Sequence, residues 1–348
     1  MAQALSRRQF GIGSVSLLSA ALAGNLHAEP RGPASVPVTT SDGKTARKTL
    51  PRGCVIPGTG PRLSKTGDNF EDEKWVYYPQ FPKSSYNIDE EVRAPGGISQ
   101  NSQWVEGAKR GTPDVVKRVK TPPDGPPESK GAMLMQTLHS GIPGSPTDQV
   151  NQDDLLHNVQ AKVGRIIPTA WSPNCTCRVY VPAVSQWERR LGPTFGFRTG
   201  MYGYSQDGEN EEYWPGIFLE QNVHTVKGVK KERVIAVMRG DNWGRDIPSI
   251  GFAPETWCTL GMSFTGDGQC HFFARAGVED LTDQDHIGSY VSYGYRAHTF
   301  ETMFFNVINN DNGRTWSTPW VIDNVLLHVA TPPQRPATAQ QGKPNAVR

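Results

Sequence analysis

The stretch Thr194-Phe195-Gly196-Phe197-Arg198-Thr199-Gly200-Met201-Tyr202, followed after a Gly- and acid-rich turn by Tyr213-Trp214-Pro215-Gly216-Ile217-Phe218-Leu219-Glu220, decides the fold. In the first run the odd positions Phe195, Phe197 and Met201 are apolar, and the even ones are Gly196, Arg198, Gly200 and Tyr202. Alternation with a period of two is the mark of a half-buried strand. Arg198 and Tyr202 therefore project together, away from the core side. In the second run both faces are apolar until Glu220, which predicts a central strand. A third run, Val234–Asp241, places Val234, Ala236 and Met238 on one face and Ile235, Val237, Arg239 and Asp241 on the other.

Working outward, further strands are predicted at Trp75–Tyr78, Ala132–Thr137, Thr176–Pro182, Thr256–Phe264, Gln269–Ala276, Glu301–Asn309 and Trp320–Val329. Helical periodicity is nearly absent, Asp154–Val163 being the best short candidate. Short turns join consecutive strands and no βαβ alternation occurs, so the expected class is all-β, an antiparallel β-sandwich or jelly roll. The 36 Gly and 28 Pro among 348 residues suit many turns. An aromatic content of 9% is too high for a wholly disordered or collagen-like chain.

The N-terminus reads as an address. Ser6-Arg7-Arg8-Gln9-Phe10 opens a twin-arginine export signal, the uncharged run Ile12–Ala23 follows, and small-residue cleavage sites lie after Ala23 or Ala28. The run is too short to span a membrane, and no later stretch is long and apolar enough. Residues 1–28 are thus expected to engage the twin-arginine export machinery, with the mature chain periplasmic or extracellular. Removing two Arg and no acid leaves 36 − 2 = 34 basic against 34 acidic residues. A net charge near zero gives no long-range pull toward nucleic acid, which is set aside as a partner.

Residues 29–66 read as a flexible leader, 67–330 as one β-sandwich domain, and 331–348 as a disordered tail. Residues 93–130 read as a Pro/Gly- and charge-rich insertion loop. Five cysteines, Cys54, Cys175, Cys177, Cys258 and Cys270, leave an odd thiol in any disulfide scheme. If the strands around Gly266-Asp267-Gly268 pair, Cys258 lies opposite a position near Gly277, out of register with Cys270. No His-x-His or His-Glu-x-x-His spacing occurs, and no metal is assigned.

These segments resemble the concanavalin A-like lectin/glucanase superfamily. The opening Gly67-Asp68-Asn69-Phe70-Glu71-Asp72 with Trp75 is similar to its first strand. Thr194–Met201 followed by Tyr213-Trp214-Pro215-Gly216-Ile217-Phe218 resembles the paired strands of family 16 glycoside hydrolases. Trp257–Phe264 and Val321–Leu326 resemble a late hairpin strand and the closing strand. The resemblance implies a jelly roll that handles a polysaccharide or oligosaccharide. It also implies no obligatory cofactor, although a structural Ca2+ is common in such sandwiches and Asp68 or Asp323 could supply an oxygen ligand.

One departure bears on chemistry. The Glu-x-Asp-x-x-Glu strand that gives family 16 its two carboxylates is missing, which puts retaining hydrolysis in doubt. Polysaccharide lyases of the superfamily use Arg, Gln or Asn, His and Tyr instead. The residue types are present in Arg198, Gln221, His224, Tyr202 and the Tyr290/Tyr293/Tyr295 cluster. On this reading Arg198, Tyr202 and Glu220 are the catalytic candidates, and Trp214, Gln221, Arg239 and Tyr293 would bind substrate. The structural alternatives are that Arg198 pairs with Glu220 or Asp241 and that Trp214 is core. Asn309-Asn310-Asp311-Asn312-Gly313-Arg314-Thr315-Trp316 resembles a single Asp-box, read as a turn with Trp316 burying it. Three classes remain: an exported carbohydrate-binding or carbohydrate-active sandwich, a polysaccharide lyase or hydrolase, and a non-catalytic cell-envelope structural protein.

Overall fold

Two antiparallel sheets, one of eleven strands and one of seven, face each other in the computed structural model, which describes residues 49–330. The export signal at 1–28 and the tail at 331–348 lie outside the described residues. The larger sheet runs in the order Tyr77–Tyr78, Ile98–Ser99, Trp104–Glu106, Asn151–His157, Arg296–Asn309, Pro193–Tyr204, Gly216–Val226, Val229–Arg239, Asp246–Phe252, with Ile167–Pro168 added beside Arg296–Asn309 and Asn210–Tyr213 beside Pro193–Tyr204. The smaller runs His286–Tyr290, Cys270–Ala276, Thr256–Phe264, Pro173–Val181, Trp320–Val329, Gly131–Gln136, Val115–Lys120. This is the expected antiparallel sandwich.

The core follows from the alternation. Phe195, Phe197 and Met201 point inward with Ile217, Leu219, Phe305 and Val307, and meet Leu260, Met262, Phe272 and Ile322 of the smaller sheet. The ring of Phe195 contacts Trp320 across the sandwich at 5.1 Å and Phe305 beside it at 5.7 Å. Truncating a buried aromatic to Ala in such a core typically costs 3–5 kcal/mol, since it loses transfer energy and leaves a cavity.

Four expectations are corrected. Asp154–Val163 is not a helix: Asn151–His157 is a strand paired with Arg296–Asn309, and only Val159–Val163 is helical. The cause is that inward positions there include Asp153, whose carboxylate is met by Lys83 at 2.6 Å and Thr137 at 2.5 Å, so hydropathy hides the period of two. Residues 93–130 are not an insertion loop, because they supply Trp104–Glu106 to one sheet and Val115–Lys120 to the other. Of the supposed leader's described residues, 61–63 lie along the closing strand, with Arg62 bridged to His328 and Leu63 N donating to the Leu327 carbonyl, while Gly58 and Thr59 bond Asn174 of Pro173–Val181. Trp316 does not bury its turn, being 43% exposed; Asn312 caps the backbone N–H of Arg314 and Thr315 instead. Cys258 pairs in register with Ala276, one residue from the expected position, and all five cysteines are free.

The opening segment is locked by two buried polar groups. The Asp68 carboxylate accepts from Trp75 Nε1 (2.9 Å), Trp104 Nε1 (3.0 Å), Asn101 Nδ2 (2.8 Å) and its neighbour Phe70 N (3.0 Å). Gly67, at φ +82°, donates its N–H to Nε2 of the buried His157 at 2.9 Å, and a Cβ there would sit 2.3 Å from the Val325 carbonyl oxygen. Burial holds the His157 imidazole down at about 3.

Asp68→Ala strands two indole donors in the core, each costing about 1–3 kcal/mol. We expect a loss of about 3 kcal/mol or more in urea unfolding. For His157 the unfolded chain takes up a proton below about pH 6.5 while the native one does not until about pH 3. Stability therefore falls on acidification through that window, by up to roughly 1.4 kcal/mol per pH unit from this group. A pH series of unfolding curves on wild type and His157→Gln should show the variant lacking that share of the slope.

Candidate functional site

On the outward face of the larger sheet, register places one row of side chains across six strands. Leu156 pairs with Phe304, Phe304 with Arg198, Arg198 with Gly216, Gly216 with Arg239, and Arg239 with Asp246. The next row runs from Asp154 through Asn306 and Gly196 to Phe218 and Val237. The period-two reading of Phe195–Tyr202 thus has its counterpart here: the polar positions share one surface.

Arg198 is 8% exposed. Its Nε and Nη2 both donate to the Trp214 carbonyl, at 3.1 and 2.6 Å, and Nη1 reaches Asn306 Oδ1 at 3.4 Å. The guanidinium lies 5.3 Å from the Phe218 ring centre and 5.4 Å from that of Phe304. Neither Glu220 nor Asp241 is its hydrogen-bond partner. Burial lowers its pKa from the ordinary value, with the Tyr293 phenol working in the opposite direction. Arg239 stands over the same Phe218 ring at 4.2 Å, gripped in a fork by Asp246 with two bonds of 2.7 Å. Burial works against its charge, but the Asp246 carboxylate outweighs that and raises it.

Tyr293 closes this patch. Its N–H donates to the Asp241 carbonyl at 2.8 Å, and its backbone stands at φ +57°. Its hydroxyl reaches the Trp214 carbonyl at 3.4 Å, the same oxygen that Arg198 uses. Asp154 accepts from Asn306 Nδ2 at 2.6 Å, and burial raises its carboxyl against the pull of Arg110 and Arg198. Arg110 Nη1 is buried and has no hydrogen-bond partner among the described residues.

The structure therefore brings Arg198, Arg239, Tyr293 and the Trp214 backbone together. The Trp214 ring lies to one side, with Lys109 Nζ 4.6 Å over it and its Nε1 bonded to Glu212. Tyr202 and Glu220 share the face but not the patch. Each is four residues along its own strand from the Arg198–Gly216 pair, in opposite directions, or about 13 Å either way. Tyr202 stands near Glu301 and Glu212, which raise its phenol. Burial, with Asp246 nearby, raises the Glu220 carboxyl. Gln221 faces the other way, its amide donating to Thr318 at 3.2 Å.

Asn306, Asp154, Phe218 and Arg110 escaped the sequence reading. Asn306 sat in a predicted strand whose alternation would have set it opposite Phe305, and that signal was available. Asp154 was hidden by its helical assignment. A cavity of about 610 Å³ opens elsewhere, lined by Asn69, Glu71, Ser129, Lys130 and Asn324 among others. No arginine lines it.

No family model matches the chain, and no curated protein matches it in sequence. Among solved structures it is similar to a carbohydrate esterase of the Shiga toxin-encoding bacteriophage phi24B, at 12% identity over 66% of this chain and 91% of that one, TM-score 0.40. It is also similar to an alginate lyase from Pseudomonas aeruginosa, at 11% identity over 77% and 100% of the two chains, TM-score 0.38. A third is an endo-β-1,4-glucuronan lyase from Trichoderma reesei, at 11% identity over 73% and 94%, TM-score 0.34.

Two glycines make room for the patch. A Cβ on Gly196 would lie 2.8 Å from both Asn306 Oδ1 and the Phe218 ring, and one on Gly216 would lie 2.5 Å from Arg198 Cγ. Gly196→Ala should therefore destabilise the fold by about 1–3 kcal/mol through overpacking, measured by urea unfolding.

Proposed function

We propose that this chain is a polysaccharide lyase acting on a uronate-containing polymer at the Arg198–Arg239–Tyr293–Asn306 patch. The observation that carries the reading is the joining of two guanidiniums and an amide on adjacent rows of one sheet with the phenol of the Tyr293 turn. Three features favour an acidic ligand over a neutral sugar. Arg198 spends its bonds on a backbone carbonyl and an amide, not on a carboxylate. Arg110 Nη1 retains an unused donor. A low-dielectric surface also strengthens attraction between a guanidinium and a sugar carboxylate.

In β-elimination the carbon bearing the uronate carboxyl loses a proton, the bond from its neighbouring ring carbon to the glycosidic oxygen breaks, and a double bond forms between these two carbons. Arg198, Arg239 and the Asn306 amide would hold the carboxylate and the charge that grows on it in the transition state. Tyr293, as its phenolate, would take that proton and, as the phenol, return it to the leaving oxygen. Hydrolysis by a carboxylate pair fits less well, because Asp246 is engaged by Arg239, and Asp154 by Asn306 and Gln152. With the export signal read at residues 1–28, the polymer would be met in the periplasm or outside the cell.

The test is incubation of the mature protein with a panel of polyuronates and neutral glucans, following unsaturated-end absorbance and new reducing ends. Cleavage confined to a polyuronate with unsaturated ends is expected. Tyr293→Phe should lower kcat/KM by about 10²–10⁴-fold, and Arg198→Ala by a comparable factor. Saturated ends alone, or cleavage of a neutral glucan, would reject the lyase reading.

A further inference from the structure

On the outer face of the smaller sheet, Cys54, His271 and His286 converge. One ligand atom from each lies within 4.8 Å of the others. His271 is fully buried, His286 is 8% exposed, and Cys54 is half-buried. Alternation explains the placement: Cys270 and Phe272 point into the core, so His271 between them points outward. The 54–60 segment covers that surface. Gly58 N donates to Asn174 Oδ1 at 2.8 Å, Asn174 Nδ2 donates to the Thr59 carbonyl, and Pro57 lies against Gly261.

The hydrogen bonds settle which His271 nitrogen carries a lone pair that could ligate. Thr265 Oγ1 donates to Asp267 Oδ1 at 2.6 Å, so toward His271 Nε2, 2.9 Å away, it can only accept. The ring proton therefore sits on Nε2, and Nδ1 directs a lone pair into the cluster. There Nδ1 stands 2.6 Å from Ser289 Oγ, which is also 2.7 Å from His286 Nε2. A ligating histidine usually donates its other ring N–H to an acceptor that fixes the ring; here that acceptor is Thr265 Oγ1, itself held by Asp267.

We propose that Cys54, His271 and His286 bind a d10 cation, Zn2+ or Cu+, with Ser289 at the fourth position, and that this pins residues 54–60 to the sheet. The donor set of one sulfur and two imidazoles suits such ions rather than Ca2+ or Mg2+. Metal–ligand distances of about 2.0–2.3 Å require donor atoms about 3.3–3.8 Å apart, so the Cys54–imidazole gap must close by about an ångström and Ser289 Oγ must draw back from the two imidazoles by somewhat less. Cys54, on a half-exposed segment, is the group free to close that gap. Binding displaces the thiol proton to solvent, and no redox change accompanies it.

The experiment uses untagged mature protein, reduced and stripped with a chelator, then titrated with Co2+, Zn2+ and Cu+ against competing chromophoric chelators. One equivalent should bind, with Co2+ giving a thiolate-to-metal charge-transfer band; the other four thiols are fully buried in strands and cannot supply it. Cys54→Ser should abolish the band and weaken binding at least about tenfold. Thr265→Val, outside the ligand set, should weaken it about 10–100-fold. Tight Cu+ with weak Zn2+ would name the ion as copper, and the reverse as zinc. Absence of the band, or Cys54→Ser binding as tightly as wild type, would overturn the proposal.

Discussion

A guanidinium 8% exposed must have its charge and its donors answered by the surface that buries it, and the polar face of the larger sheet is arranged around that requirement for Arg198. The Trp214 carbonyl takes two of its N–H groups, Asn306 approaches a third, and the Phe218 and Phe304 rings cover the flanks. That solution dictates its neighbours. Gly196 and Gly216 must lack side chains, and Asn306 must be oriented, which the Asp154 carboxylate does by accepting from its amide nitrogen. Arg239 needs its own fork from Asp246 because it shares the Phe218 ring with Arg198. The charge is thus held in place without being fully neutralised. Such a group is suited to meeting an anion.

The architecture beneath was legible because a half-buried strand writes its two faces into alternate residues. Thr256–Phe264 and Trp320–Val329 fall where they were predicted, since apolar residues fill the inward positions. Asn151–His157 was illegible for the opposite reason. Its inward Asp153 and His157 are polar and are satisfied by Lys83 and by the Gly67 N–H, partners remote in sequence. A pattern of hydropathy cannot see that kind of burial. The segments 93–130 and 49–66 misled similarly: their Pro and Gly content reads as loop, while their bonding is to strands across the molecule.

The candidate site was half legible. Arg198, Arg239 and Tyr293 could be chosen from residue type and face, yet their meeting depends on register across three strands and on the Tyr293 turn. Tyr202 and Glu220 were chosen on the same reasoning, and lie away from the patch because antiparallel strands carry them in opposite directions. The Cys54–His271–His286 cluster was invisible to spacing rules, since 217 and 15 residues separate its members in turn.

The central claim is that this face recognises a carboxylate. The most direct measurement is calorimetric affinity for one uronate oligosaccharide and for the same oligosaccharide with its carboxyls reduced to alcohols. The account predicts at least about tenfold tighter binding of the acidic form, equivalent to about 1.4 kcal/mol, with the preference lost in Arg198→Ala. Equal affinity for the two, or a preference that survives Arg198→Ala, would contradict it.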